Sequence, residues 1–350
     1  MTDAPRFRAR ESKPDALKKE VAMRQLPVRA SLILVLLAFG AGKTNPAAHA
    51  QTYPSNIVRI VAPFGAGTPP DIISRLVATE LSESQGWQVI VENRPGGVTT
   101  IAGSEVLKQP ADGYAIYAMA LPVSASPALV AKMPYQLEAD FSPVVKVSTS
   151  YNVLVVNPSL PAKSVADLVA VLKSQPDKLN FSSGGFGTPA HLVGEMFKLQ
   201  TGVRAVHVPY QQFPQAIADL LNGTNHYMFI TTLPVVDLIA AGKLRALAVT
   251  SPKRIEVLKD VPTVVEQQFP DLQVTDWVGF AVKIGTPDEI VVRLNGAINK
   301  ALTSAKVRDG FAKLGAEPAG GTPAEFGDLL KSQITHWRKV VAESGIKMPQ

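Results

Sequence analysis

Two short phrases in the 350-residue chain carry the residue types that can hold an anion. Gly65-Ala66-Gly67-Thr68-Pro69 recurs 120 positions later as Gly185-Phe186-Gly187-Thr188-Pro189. A glycine-rich turn that opens a helix leaves main-chain N–H groups and the positive end of the helix dipole free for a negative group. Each Thr is placed to act as an N-cap, and each Pro then takes the first helical position, where its missing N–H costs nothing. The residues that follow also match: Ile72, Ile73, Leu76 and Val77 align with Leu192, Val193, Met196 and Phe197. That spacing marks the buried stripe of a helix after each turn. Two such turns in one chain suggest a two-sided grip on a small anion; two unrelated helix starts would leave the same residues.

Other chemistry-bearing residues cluster near these turns. Asp71 stands three residues after Thr68, the third helical position of a capping box, which gives it a capping role ahead of a ligand-binding one. His191 takes the same position in the second helix. Its surroundings, His191-Leu192-Val193-Gly194-Glu195, do not follow the zinc metalloprotease pattern, which needs Glu directly after the first His. Ser182-Ser183 precede the second turn without a Gly-x-Ser-x-Gly elbow, so their hydroxyls read as donors to a bound carboxylate rather than as nucleophiles. Tyr210 follows a strand and is either a core edge or a pocket wall, while Thr231 and Thr232 end another strand with hydroxyls to offer. Gly40-Ala41-Gly42-Lys43-Thr44 mimics a phosphate loop, but Leu37 stands where that motif requires Gly. The absence of cysteine excludes disulfides and thiol chemistry. No metal site, cofactor loop or paired carboxylates emerge, which argues against an enzyme.

The elements that must position these residues alternate. Strands over 57–62, 87–91, 114–119, 152–156, 179–183, 203–208, 227–230, 244–249 and 276–282 are interleaved with helices. These run over 69–84, 101–108, 165–173, 213–221, 235–241, 289–302, 307–314 and 323–341, with one more opening at the second Gly-Thr-Pro turn. Such alternation predicts an α/β fold with mostly parallel sheets, whose ligands sit beyond the strands' C-terminal ends, where both glycine turns lie. At 46 % hydrophobic and 18 % charged residues, the chain can bury substantial cores. The formal charge of +6 is concentrated at the front. Residues 1–50 hold nine Lys/Arg and four Asp/Glu, leaving 26 (35 less 9) basic against 25 (29 less 4) acidic residues. Nothing in that balance points to nucleic acid.

The front itself reads as a signal peptide. A basic run from Arg6 to Arg29 precedes an apolar stretch, Ser31–Gly40, too short to span a bilayer, and Ala48-His49-Ala50 fits small-x-small cleavage. Cleavage is expected after Ala50, with either Met1 or Met23 as the start.

The mature chain resembles the tripartite tricarboxylate transporter substrate-binding proteins, the Bug family of periplasmic binding proteins. The matching stretches are Tyr53-Pro54, Val61–Gly67, Val91–Gly96, Ala111–Tyr114, Phe181–Leu192, Val208–Tyr210, Gly242–Thr250, Asp260–Thr263 and Leu314–Pro318. They occur in the family's order and cover nearly all of residues 51–350. The resemblance implies a class II periplasmic binding protein, two α/β lobes joined by a hinge. Lobe 1 is expected over 51–153 plus 274–350 and lobe 2 over 154–273. It also implies that the loops matching Pro63–Asp71 and Ser182–Thr188 hold a carboxylate from the two lobes. The ligand-binding residues expected on this basis are Phe64, Gly67, Thr68, Pro69, Ser182, Ser183, Gly185, Thr188, Tyr210 and Thr231.

Three departures bear on the ligand. Thr68 stands where many relatives have a second Gly, Gln212 where many have Gly, and the strand His226–Ile230 lacks the acid that many carry. The last departure disfavours an amino-acid ligand and favours a plain acid, dicarboxylic, tricarboxylic or aromatic. The expected protein is therefore a monomeric periplasmic solute-binding protein without cofactor or catalysis. Its partner is a two-component membrane permease. The alternatives are a ligand sensor for a signalling receptor and, more distantly, a secreted hydrolase or lyase using the same cleft.

Overall fold

The computed structural model describes residues 53–210 and 213–346. The leader with its cleavage site, and Gln211 and Gln212, lie outside the described residues. In chain order the first elements are β1 (Val58–Ala62), α1 (Pro69–Gln85), β2 (Val89–Asn93), α2 (Thr100–Lys108), β3 (Ala115–Ala120), α3 (Leu121–Leu129) and α4 (Leu137–Asp140). β4 (Phe141–Val156), α5 (Val165–Ser174), β5 (Asn180–Ser183), α6 (Pro189–Thr201), β6 (Val206–Pro209), α7 (Phe213–Leu221), β7 (Tyr227–Thr231) and α8 (Val236–Ala240) follow. The rest are β8 (Arg245–Val249), β9 (Thr275–Lys283), α9 (Asp288–Leu302), α10 (Ala305–Lys313), β10 (Ala316–Gly320) and α11 (Pro323–Ser344).

The helices form where the apolar stripe and its punctuation agree. α1 buries Ile73, Val77 and Leu81 at helical spacing, opens on Pro69 and ends on Gly86 in the left-handed conformation (φ 69°). Burying each of those side chains contributes about 2 kcal/mol. α11 starts with a full capping box, Thr322 with Glu325, and buries Phe326, Leu330, Ile334 and Trp337 on one face. Gly279 of β9 lets that face come close, because a Cβ there would collide with the Phe326 ring.

The sheets are mixed rather than mostly parallel. β1 pairs in parallel with β2 and β3, and β5 in parallel with β6 and β7. Every pairing of β4 and β9 is antiparallel. The cause is β4, a 16-residue strand that belongs to both halves of the molecule. Through Tyr151 it pairs with β9, and from Asn152 onward with β7 and β8. β8 and β9 line up end to end along one side of β4, and β7 and β10 along the other. The first half-sheet is therefore β2-β1-β3-β9-β4 with β10, and the second is β4-β7-β5-β6 with β8.

Strand directions then decide where the loops go. β9 is antiparallel to both β3 and β4, so β1, β3 and β4 all run toward the second half-sheet. β7 is antiparallel to β4 and parallel to β5, so β5, β6 and β7 run back toward the first. The C-terminal ends of both parallel strand sets face one another. One buried cluster joins the halves, running from Tyr117 and Trp277 to Phe181 and Tyr227.

Candidate ligand-binding cleft

Each glycine turn sits at one of these facing strand ends, and the two are built alike. In the first, the Thr68 N–H and hydroxyl both donate to the Gly65 carbonyl, at 3.3 and 2.8 Å. In the second, Thr188 does the same to Gly185, at 3.4 and 2.7 Å. Gly67 (φ 80°) and Gly187 (φ 75°) take the left-handed conformation that a side chain would strain. Both Thr residues stand at the N-cap position, but neither hydroxyl caps its helix. Each is committed as a donor to the turn, and Pro70 further removes one N–H that a cap would accept.

The third helical residue closes the turn instead. The Gly67 N–H donates to Asp71 Oδ2 at 2.8 Å, and the Gly187 N–H donates to His191 Nδ1 at 3.1 Å. The capping-box expectation for Asp71 is shifted by one residue, since it binds Gly67 rather than Thr68. Burial pushes the Asp71 carboxyl up, but hydrogen bonds from Arg75, Asn93 and Gly67 outweigh it and hold the group below the usual carboxylate range. Asn93, at the end of β2, ties the assembly together by also reaching the Phe64 carbonyl at 3.0 Å.

His191 is held differently. Burial first, then the nearby His207 and Lys198, lower it to about 3. It is therefore neutral, accepts on Nδ1 and carries its proton on Nε2. Its ring stacks on His207 with centroids 4.2 Å apart, and burial and Lys198 lower His207 to about 4. Phe186 meets both rings edge-on. His207 Nε2 lies 2.7 Å from the Ser183 hydroxyl.

The ten expected site residues fall into three groups. Phe64, Gly67, Thr68, Pro69, Gly185 and Thr188 line the two turns and keep partial exposure. Ser182 and Ser183 are fully buried, and they flank the β5 backbone on opposite faces. Ser183 is occupied by Gly185 and His207, whereas the Ser182 hydroxyl has no partner among the described residues. Tyr210 and Thr231 follow or end β6 and β7 on the same side. The Tyr210 hydroxyl donates to Asp219 at 2.7 Å and accepts from Asn225 at 2.8 Å, which turns it toward α7. Asn93, His207 and a buried Asp276 were not singled out from sequence. Asn93 lies inside a matched motif, whereas His207 is one polar residue among apolar ones in β6 and Asp276 stands beside Thr275 at the start of an apolar run in β9.

What remains available chemically is main-chain donors. The N–H groups of Gly65, Ala66, Gly184 and Phe186 have no acceptor among the described residues. The halves meet nearby: a Cβ on Gly187 would lie 3.0 Å from Val98 and 3.5 Å from Leu129. Val98 (φ 50°) and Thr99 (φ 75°) hold left-handed conformations that cost non-glycine residues energy. Two surface hollows, one at Asn299, Arg308 and Gly320 and the other at Ile239, Arg245 and Val261, include no residue of either turn. Among the described residues no cluster of His, Asp and Glu could hold a metal ion.

Known proteins are similar to this chain in sequence and fold. The sequence profile described as tripartite tricarboxylate transporter family receptor matches residues 73–346. The chain is 34 % identical to BugT of Bordetella pertussis over 301 residues, 85 % of this chain and 92 % of BugT. Among solved structures, R. palustris Rpa4515 with adipate is 35 % identical with a TM-score of 0.76, across 84 % of this chain and 99 % of that one. The periplasmic binding protein BugD is 30 % identical with a TM-score of 0.75, over 84 % and 99 % of the two chains. MatC from Rhodopseudomonas palustris with bound malate is 29 % identical with a TM-score of 0.74, over 83 % and 100 %. The fold is thus the two-lobed α/β fold of periplasmic solute-binding proteins, and the chain belongs to the tripartite tricarboxylate transporter receptor family, whose members bind solutes rather than convert them.

Proposed function

We propose that this protein captures a small carboxylate outside the cytoplasm and delivers it to a two-component membrane permease. The observation that carries the reading is the pair of matching glycine turns at facing strand ends, each with main-chain N–H groups that no other described residue uses. Neutral donors at helix N-termini suit a carboxylate, and bridging waters can share the work. The adipate and malate bound by two neighbours support the same ligand class. Lobe 1 is taken as residues 51–153 plus 274–350 and lobe 2 as 154–273, with export through the leader and cleavage after Ala50. Closure of the lobes would be the signal read by the permease, because the ligand favours the state in which both turns touch it.

The test is a thermal melt of the mature chain against a panel of mono-, di- and tricarboxylates. Ligand binding only to the native state raises stability, by about 3 kcal/mol at a hundred-fold excess over Kd. At least one acid is expected to raise the Tm by several degrees, and a panel without any shift would reject the reading.

A further inference from the structure

The strap of residues 93–99 runs from one glycine turn to the other. Asn93, at the end of β2, grips the α1 turn: its side-chain amide donates to the Phe64 carbonyl at 3.0 Å and to Asp71 Oδ1 at 2.8 Å. The Arg94 N–H adds a bond to the Ala62 carbonyl at 2.8 Å. Residues 94–97 then cross the surface, exposed. Val98 ends the crossing at the α6 turn, with its Cγ1 3.0 Å from the point that a Cβ on Gly187 would occupy. Leu129 of α3 stands 3.5 Å from the same point.

The backbone of this strap is strained. Gly96, Gly97, Val98 and Thr99 all have positive φ, at 117°, 58°, 50° and 75°. Glycine takes such angles freely, but a β-branched residue is a poor choice for them, and left-handed non-glycine residues ordinarily occur singly. Strain of this kind persists only where the surroundings impose it, and it gathers at ligand clamps and switch regions.

The first half of the molecule imposes part of it. The Thr100 hydroxyl donates to the Gly97 carbonyl at 2.7 Å, and the fully buried Tyr117 donates its hydroxyl to the Thr99 carbonyl at 3.0 Å. The Tyr135 hydroxyl lies 3.4 Å from that of Tyr117, and Gly103 of α2 admits the Tyr135 ring, with which a Cβ there would collide. These contacts fix both sides of Val98 but do not account for its own side chain, which the left-handed backbone brings against Gly187. Gly187 in turn offers its N–H to His191 and so closes the α6 turn. The N–H groups of Gly184 and Phe186, just before it, have no acceptor among the described residues. A valine pressed on Gly187 therefore fixes where those donors point.

We propose that Val98 is a positioning residue of the binding site. Through it the strap, anchored on the α1 turn by Asn93, holds the α6 turn so that the main-chain donors of both turns reach one carboxylate-bearing molecule. The inference rests on the carboxylate reading above and adds to it a residue that acts through Gly187.

Three variants of the mature chain separate contact from strain. Val98→Ala and Val98→Gly both withdraw the side chain from Gly187, but only glycine relieves the backbone. Calorimetry and stopped-flow mixing with mono-, di- and tricarboxylates, adipate and malate included, are expected to show affinity lowered by roughly five-fold or more in both, with the loss in faster dissociation and association little changed. Without ligand, Val98→Gly is expected to melt about 2 °C or more above Val98→Ala, the reverse of the usual order of these two residues. Thr99→Gly relieves the neighbouring residue and leaves the Val98 contact in place, so its affinity is expected to stay within about two-fold of wild type. Wild-type affinity in both Val98 variants, an equal loss in Thr99→Gly, or a Val98→Gly that melts below Val98→Ala would overturn the inference and leave the carboxylate reading standing. Binding of no acid by wild type would overturn both.

Discussion

Asp276 and the His191–His207 stack pull the protein's stability in opposite directions with pH. Asp276 has an ordinary carboxyl value of 3.8 when exposed and about 7 when folded. The folded state therefore holds this proton more tightly, and stability falls as pH rises from about 4 to 7. The limit is about 4 kcal/mol, three units at 1.36 kcal/mol each. The histidines work the other way. Their folded values of about 3 and about 4 lie below the ordinary 6.5, so their contribution is present above pH 6.5 and is lost as pH falls toward 4. In wild type the Asp276 slope offsets only part of the slope of the two histidines across that window. Asp276→Asn removes that offset, so its Tm should climb steadily from pH 4 to 7 and exceed wild type most above pH 7. Melting curves that run parallel for variant and wild type at every pH would contradict the burial of an unpaired carboxyl.

The twin turns show how far a sequence phrase determines an element and where it stops. Both phrases give the same hydrogen-bonded turn, so what differs between α1 and α6 is the residue that closes it. Thr188→Val keeps the shape of the side chain and deletes the hydroxyl bond to the Gly185 carbonyl. The lost bond is worth about 1 kcal/mol of loop order. Carboxylate affinity should fall by roughly five- to ten-fold while Tm changes by only a few degrees, and unchanged affinity would remove the α6 turn from the site. The turns and the stripes of α1, α6 and α11 were legible because each has local punctuation and period. The first eleven residues of β4 were not: Pro143, Lys146 and Ser148–Ser150 break the apolar run, and two register shifts break its alternation. β10 is short and holds Pro318, and α3 is buried on nearly every side with two prolines, so neither shows a period. Only the antiparallel pairings of β10 and of the first part of β4 involve missed segments; β3 with β9, and the end of β4 with β7 and β8, join strands that were legible but whose direction no local pattern reveals. Asp276 was invisible for a related reason, since only the fold reveals that it is buried without a cation beside it.

At the scale of the molecule, motion between the lobes has few places to occur. The chain passes between half-sheets in β4 at Tyr151–Asn152 and along its side between β8 and β9, where the Val274 N–H donates to the Thr250 carbonyl and the Thr250 hydroxyl to the Val274 carbonyl. On the opposite side, Thr232 beyond β7 meets Gly315 before β10, so tightly that a Cβ on Gly315 would collide with the Thr232 hydroxyl. Gly315 has a φ of 64°, so Gly315→Ala adds backbone strain of about 1 kcal/mol besides the collision. The two effects separate in a double variant. Gly315→Ala alone should lower stability and misalign the lobes, weakening ligand binding by roughly ten-fold. Adding Thr232→Ala removes the obstructing hydroxyl, whose oxygen has no hydrogen-bond partner among the described residues, so that its loss breaks no bond. Affinity should then return while the strain persists as a lowered Tm. Small-angle scattering should follow the same order, with ligand-induced compaction in wild type, less in the single variant and recovery in the double. A double variant that regains neither affinity nor compaction would show that this contact does not set the lobe angle, and closure would have to be governed from the β8–β9 side alone.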